Sequence, residues 1–458
     1  YFVQYDELAM GVGKKLAELT KTEWGMVSSG CAAGMKHFAA ACITGGNPEK
    51  LLRIPDLTGF EKTEVIIPSE SRNVYDHAIR NLGVTIIEVN TAQELERAIN
   101  KKTALIYIMT GPSHDQGQPL SLEVIASIAK PHDVPILADA AAENLTIPPV
   151  HLARGATAVV YSGGKAICGP QCAGLLFGPK NLLMSAWQAS APHHGPGRDN
   201  KVGKEEMMGM LAAVETWTKR DHQAEWNNWL NRLNTIAAKV KQVPGISTEI
   251  ITPTDLSNLA PILSISWNAA DLKVTGEEIA EETARKKPRI AIGSRTNNGI
   301  TSINLVPSQM REDQVAIVAD RLYSLLSTVR TAKSNEMMAP SVNLTGQWDL
   351  EVSYFSSMSH HSLYINQDGN WIQGNHQADF GESELLGMVE GDKVKLRSVL
   401  RKPGDSITYL FNGIAKDDAI TGSIFLGEYL TASFTALRTK YKNAKKPFSI
   451  PGGPPLAT

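Results

Sequence analysis

The sequence predicts an α/β core with a mostly parallel sheet, followed by a smaller α+β domain and an antiparallel barrel-like domain. Short apolar runs alternate with helical stretches up to about residue 203, as a layered α/β core requires. Beyond Leu344 the pattern changes to short strands and hairpin turns such as Asn366-Gln367-Asp368-Gly369-Asn370. Between these regions a helical stretch leads into mixed strand and helix signals.

Taken in order, Tyr5 to Thr20 reads as an amphipathic helix. Ser28-Ser29-Gly30-Cys31-Ala32-Ala33-Gly34 then precedes a helix through His37 to Cys42. Small residues let backbone amides at a helix start wrap an anion, although such a turn alone can be a plain helix entry. The Gly-Lys-Ser/Thr ending of a nucleotide P-loop is absent. Buried strands are expected at Val65–Pro68, Thr85–Val89, Ala104–Met109, Ile136–Ala138, Ala158–Tyr161 and Ala173–Phe177. Val74–Asn81, Ala92–Asn100, Leu122–Lys130 and Pro149–Arg154 connect them as helices or turns.

Two residues at strand ends suggest the chemistry. Asp139 closes an apolar strand and is followed by alanines, and Lys165 follows Tyr161-Ser162-Gly163-Gly164. A lysine can condense with the aldehyde of pyridoxal phosphate, and a carboxylate can keep its pyridine nitrogen protonated. Read alone, Asp139 could be a structural cap and Lys165 a surface lysine. Arg72, Asn73, Tyr75, Asp76 and His77 form a polar group ahead of a helix, with His77 suited to ring stacking or proton transfer. His193-His194-Gly195-Pro196-Gly197-Arg198 and Lys201 offer a cationic loop or a solvated hinge.

These blocks resemble the pyridoxal-phosphate family related to bacterial seryl-tRNA selenium transferase, on its D-glucosaminate-6-phosphate ammonia lyase-like branch. The similarity runs from about Trp24 to about Trp217 and rests on Ser28–Ala33, Arg72–Ala78, Asp139-Ala140-Ala141, Ser162–Lys165 and Gly197–Glu206. It implies a fold-type I transferase-like core, with Lys165 as the Schiff-base lysine and Asp139 as the pyridine partner. Ser29, Gly30, Cys31 and Ser162 would hold the cofactor, with His77 against its ring. Lys165, His77 and Tyr75 are the catalytic candidates, and Arg72, Asn73, Arg198, Lys201 and Arg295 the candidates for substrate. Asn200 departs from the family's more usual hydrophobic residue before the lysine.

The expected division is 1–203, an N-terminal helix and large cofactor domain; 204–242, a bridging helix; 243–334, a small α+β domain; 335–439, the barrel-like domain; and 440–458, an extended tail. Strands in the small domain are expected at Ile246–Ile251, Ile262–Trp267, Arg289–Ile292 and Ser302–Leu305, with helices at Gly276–Thr283 and Met310–Val329. In the barrel, the candidates are Trp348–Val352, His361–Ile365, Trp371–His376, Lys393–Ser398, Ser406–Phe411, Ala419–Phe425 and Leu430–Leu437. Closure would protect sheet edges in a lipocalin-like module, whose part could be binding, shielding, assembly or structure alone.

Composition narrows the partners. Lys plus Arg 45 against Asp plus Glu 47 gives a formal charge of -2, so no positive field recommends nucleic acid. The four cysteines, including Cys168 and Cys172, lack a second ligand cluster, and no metal is expected. No apolar run approaches the roughly 20 residues of a membrane span. Tyr1 suggests a preceding piece; a cytoplasmic protein is expected, or a periplasmic one if that piece is an export signal. The reaction expected is α,β-elimination from a hydroxy amino acid or amino sugar acid, releasing ammonia and a keto acid. Alternatives are a racemase, epimerase or aldolase, or a cofactor-binding assembly protein. A small anionic amino-acid-like substrate and at least a dimer are expected.

Overall fold

The computed structural model describes residues 3–332, 334 and 336–439, which fall into two compact units meeting between residues 333 and 334. The 440–458 tail lies outside the described residues.

The first unit is built on β1 (Trp24–Ser28), β2 (Glu64–Pro68), β3 (Thr85–Val89), β4 (Thr103–Met109), β5 (Ile136–Asp139), β6 (Ala158–Ser162) and β7 (Gly174–Gly178). Their spatial order is β1-β7-β6-β5-β4-β2-β3, and only β7 runs antiparallel to its neighbours. Central strands are buried along nearly their whole length, which is why their sequences run apolar without alternating. Helix α1 (Tyr5–Thr20) packs Leu16 against β1, and α2 (Gly30–Thr44) buries Met35 and Phe38 in the same core. The fold is the fold-type I core with a C-terminal barrel, as expected. β1 went unassigned in the sequence, where its five residues sit inside the block leading to Ser28.

Three expectations are corrected here. The bridge over 204–242 is two helices, Lys204–Lys219 and His222–Val240; Asp221 ends the first stretch and caps the second by accepting from the Ala224 N–H at 2.9 Å. Residues Arg289–Ile292 form no strand, because the Ile290 N–H donates to the Thr283 carbonyl after the preceding helix. The strand starts at Gly293. The small sheet comprises β8 (Ser247–Ile251), β9 (Ile262–Asn268), β10 (Gly293–Asn297) and β11 (Ile300–Leu305), antiparallel in the order β10-β11-β9-β8. Leu263, Ile265 and Trp267 turn inward from β9 onto helices that include Leu233 and Leu322.

The second unit is a closed antiparallel barrel: β12 (Gly346–Ser353), β13 (Met358–Asp368), β14 (Trp371–Ala378), β15 (Gly381–Glu390), β16 (Lys393–Lys402), β17 (Asp405–Lys416), β18 (Ala419–Phe425) and β19 (Thr431–Arg438). The third correction is β15, an unforeseen strand. β12 pairs with β19, so the sheet has no free edge. Trp348, Leu350, Phe411 and Phe434 fill its interior. A polar chain crosses that core: Ser383 Oγ to Ser398 Oγ at 2.6 Å, Ser398 Oγ to His376 Nδ1 at 3.0 Å, His376 Nε2 to His361 Nδ1 at 2.9 Å, and His361 Nε2 to Asp379 Oδ2 at 3.5 Å. With both imidazoles neutral the protons can all point one way along it, from Ser383 toward the Asp379 carboxylate. Burial first, and the neighbouring His361 second, push His376 down to about 3.

Candidate active site

β4, β5 and β6 are adjacent parallel strands, so their C-terminal ends lie at one edge of the sheet. Asp139 is the last residue of β5 and is 4% exposed. A carboxylate at that depth needs donors. Its Oδ1 accepts from the Cys31 thiol at 3.3 Å and the Ala141 N–H at 3.0 Å; its Oδ2 accepts from the Tyr107 hydroxyl at 2.8 Å. Asn73 Nδ2 donates to that same hydroxyl at 2.9 Å and to the Ser71 carbonyl at 2.8 Å. Residues distant in sequence thus meet at Asp139, Cys31 directly and Asn73 through Tyr107. Burial, then the Asp139 charge, holds both the Cys31 thiol and the Tyr107 hydroxyl protonated, their pKa values well above the ordinary ones.

A second group converges where α2 begins. Gly30 has φ +77°, which favours glycine, and space for a side chain there is open. Ser29 precedes the helix without capping it through its side chain, which leaves the amides of the first turn facing that space. Gly174 pairs with Ser162 across β6 and β7, and a Cβ on Gly174 would lie 2.7 Å from the Cys31 nitrogen. The end of β6 at Ser162 and the start of α2 at Ser29 and Gly30 are therefore brought close to each other by Gly174. Lys165 lies on the turn just past β6, exposed, and its charge is felt at the Cys31 thiol. The donor set fits pyridoxal phosphate: an anion cradle, an accessible amine, and a buried carboxylate for a protonated ring nitrogen.

The other candidates are placed differently. Tyr75 and His77 are exposed where a 3₁₀ turn gives way to the short helix His77–Arg80. Arg72, expected to meet substrate, instead directs its guanidinium at Asp76 (2.6 Å) and Glu88 (2.7 Å), while Arg80 holds the other oxygen of the fully buried Asp76 at 2.8 Å. A buried carboxylate demands such partners, and they already engage the Arg72 guanidinium. Asn73 is likewise bonded to Tyr107, Ser71 and the Tyr75 N–H. Arg198 and Lys201 are exposed on a loop fastened by the buried Lys36, whose ammonium donates to Asp199 at 3.0 Å and Asn200 at 3.1 Å. That bond gives the polar Asn200 its reason. Arg295 stands on β10, which is exposed along its length.

Two groups escaped the sequence reading. Tyr107 looked like one more member of an apolar strand. The second is a buried network at the ends of β4 and β5. Glu143 accepts from the Thr110 hydroxyl and binds His151 Nε2, both at 2.6 Å, and Arg154 donates to His151 Nδ1 at 3.2 Å. A guanidinium can only donate, so the neutral ring carries its proton on Nε2 and gives it to Glu143.

Residues 71–198 match the aminotransferase class-V family model. D-glucosaminate-6-phosphate ammonia lyase of Salmonella typhimurium is 28% identical over 336 residues, 71% of this chain and 87% of that protein. A 5'-C-glycyluridine monooxygenase-decarboxylase of a Streptomyces species is 31% identical over 260 residues, 54% of this chain and 63% of that one. A solved D-glucosaminate-6-phosphate ammonia-lyase superposes with a TM-score of 0.62 at 27% identity, covering 72% of this chain and 88% of that one.

Proposed function

We propose that this chain, a pyridoxal-phosphate enzyme of fold type I, is a lyase that removes water across the α- and β-carbons of a hydroxy-substituted amino acid or amino sugar acid. Ammonia and a keto acid are the products. The carrying observation is a buried Asp139 held by three donors, one of them the Cys31 thiol that also feels the charge of the exposed Lys165, in a chain similar to an ammonia lyase over 87% of that protein.

Bound pyridoxal phosphate would supply an electron sink for the charge left at the substrate α-carbon. The first turn of α2 with Ser29, Gly30 and Ser162 would hold its phosphate, and Asp139 its ring nitrogen. Lys165 would anchor the cofactor covalently and, once exchanged for the substrate amine, take the α-proton. His77, or a water beside it, would protonate the departing β-hydroxyl, and Tyr75 is the further candidate for the catalytic group. Loss of water leaves an enamine, which tautomerises and takes up water to give ammonia and the keto acid. Arg198 and Lys201, exposed on their loop, would meet an anionic substrate, and Arg295 is a candidate on the smaller sheet. A homo-oligomer, at least a dimer, completes the reading.

Ammonia and keto-acid release should be assayed with serine, threonine and amino sugar acids, with and without a phosphate ester. Ammonia in step with keto acid supports the lyase; α-proton exchange without ammonia selects a racemase or epimerase. Borohydride reduction followed by peptide mapping should place the cofactor on Lys165, and a label elsewhere overturns that assignment.

A further inference from the structure

The outer wall of the barrel carries a feature that closing the sheet does not require. Outward positions on a small barrel are ordinarily polar, and scattered apolar ones need no explanation. Here the strand register gathers them. Across β14, β15, β16, β17 and β18 one row reads Gln373, Leu386, Arg397, Leu410 and Phe425, and the row beside it contains Trp371 and Lys395. Trp371 is 62% exposed and Phe425 51%, with Leu386 and Leu410 near 40%.

These residues line a concavity of about 780 Å³. Gly387 lies in its floor: a Cβ there would stand 2.2 Å from the Lys395 carbonyl and 2.8 Å from the buried Leu396 side chain, so β15 passes β16 with no side chain at that position. The volume lies within the range of small-molecule sites, roughly 300–1,000 Å³. From β14 to β18 the hollow crosses four strand spacings, about 19 Å.

Its charge pattern selects the occupant. Lys395 and Arg397 stand on the middle strand with apolar residues to either side, and neither takes part in an ion pair among the described residues. Two unpaired cations between greasy flanks attract an anion that brings its own apolar surface. The chain's own segment from residue 440 opens with Lys440, Lys442, Lys445 and Lys446, which would face Lys395 and Arg397 with like charge.

We infer that this outer hollow of the barrel is a binding site for an anionic amphiphile, an apolar body bearing a carboxylate or phosphate, with its head on Lys395 and Arg397 and its apolar parts on Trp371, Leu386, Leu410 and Phe425. The site is independent of the reaction assigned to the first unit.

The test uses the full chain saturated with pyridoxal phosphate, so that the anion cradle of α2 is filled. Calorimetric titrations with dodecyl phosphate and dodecanoate, below their micelle concentrations, should give saturable binding, with dodecyl maltoside as the uncharged control. The double variant Lys395→Glu/Arg397→Glu should weaken the anions by about tenfold or more and leave the maltoside unchanged. Trp371→Ala should weaken all ligands that bind. Binding by one anion alone supports the site and identifies its head group. No saturable binding, equal affinity for the maltoside, or anion binding untouched by the double variant overturns the proposal. A diazirine-bearing dodecyl phosphate tests the unsubstituted protein: cross-links on β14–β18 support the site, and cross-links confined to residues before 333 refute it.

Discussion

Both units bury a polar chain, and they finish it differently. In the barrel, Ser383, Ser398, His376, His361 and Asp379 are linked end to end, and the last carboxylate also accepts from Ser359 at 2.6 Å. In the catalytic sheet, Asn73, Tyr107, Cys31 and Asp139 are equally well bonded, but the chain stops at an uncapped helix start whose Cys31 feels the charge of an exposed lysine. A network that only stabilises can close on itself; one that serves chemistry must leave an end for a ligand to complete.

The sharpest way to break this contrast is to substitute one member of each. Lys165→Ala should abolish the cofactor's visible absorbance and lower kcat by about 10³-fold or more, whereas His361→Ala should leave turnover unchanged. Comparable kinetic losses in both variants would erase the distinction. Next in size is Arg72→Gln. Assigned to Asp76 rather than to substrate, it should cost about 3 kcal/mol in urea unfolding with KM unaltered. A raised KM at undiminished stability would restore the substrate assignment.

Acid should weaken both units for the same reason. Burial pushes His37 in α2 and His376 in the barrel each down to about 3, with Lys36 and His361 respectively adding to the effect. The unfolded histidines titrate near 6.5, so between about 6.5 and 3 the unfolded chain holds more protons, and stability falls as the pH drops. From about pH 6.5 to 5 the loss is on the order of 2 kcal/mol for each histidine. Unfolding followed against pH should show His376→Phe flattening the barrel's response and His37→Phe that of the catalytic unit; unaltered slopes would refute the assignment. The smallest effect is expected for Tyr107→Phe, about 1 kcal/mol of stability with weaker retention of the cofactor, read by dialysis and absorbance. Unchanged retention would reduce Tyr107 to packing.

The legible parts of this chain were those encoded locally. Thr85–Val89 and Ala419–Phe425 match their expected strands in their bounds, because an apolar or alternating run bounded by turns carries its own signal, although Thr85–Val89, expected to be buried, forms the edge of its sheet with only Val89 buried. β15 was missed because Leu385-Leu386-Gly387-Met388-Val389 blurs the inward and outward alternation. The Lys165 and Asp139 motifs were visible as strand-end chemistry, although their roles await the tests above. Tyr107 was not visible, since its meaning depends on register: Met109 pairs with Asp139, which sets Tyr107 two residues back on the same face. The pairing of Arg72 was hidden for a related reason. Sequence displays its charge but not the buried Asp76 and the exposed Glu88 that it meets.

One backbone connection gives the first unit a further property. Just past Asp139, residues 142–144 are laced to a loop entering the small sheet: the Asn258 N–H donates to the Ala142 carbonyl at 2.7 Å, the Asn144 N–H to the Leu256 carbonyl at 3.0 Å, and Glu143 bridges Ser257. The carboxylate and the loop leading to β9 are consequently geared together. The stretch that follows Asp139 therefore doubles as a short edge for the small sheet's entry loop, and the acid's backbone inherits its rigidity from both sides.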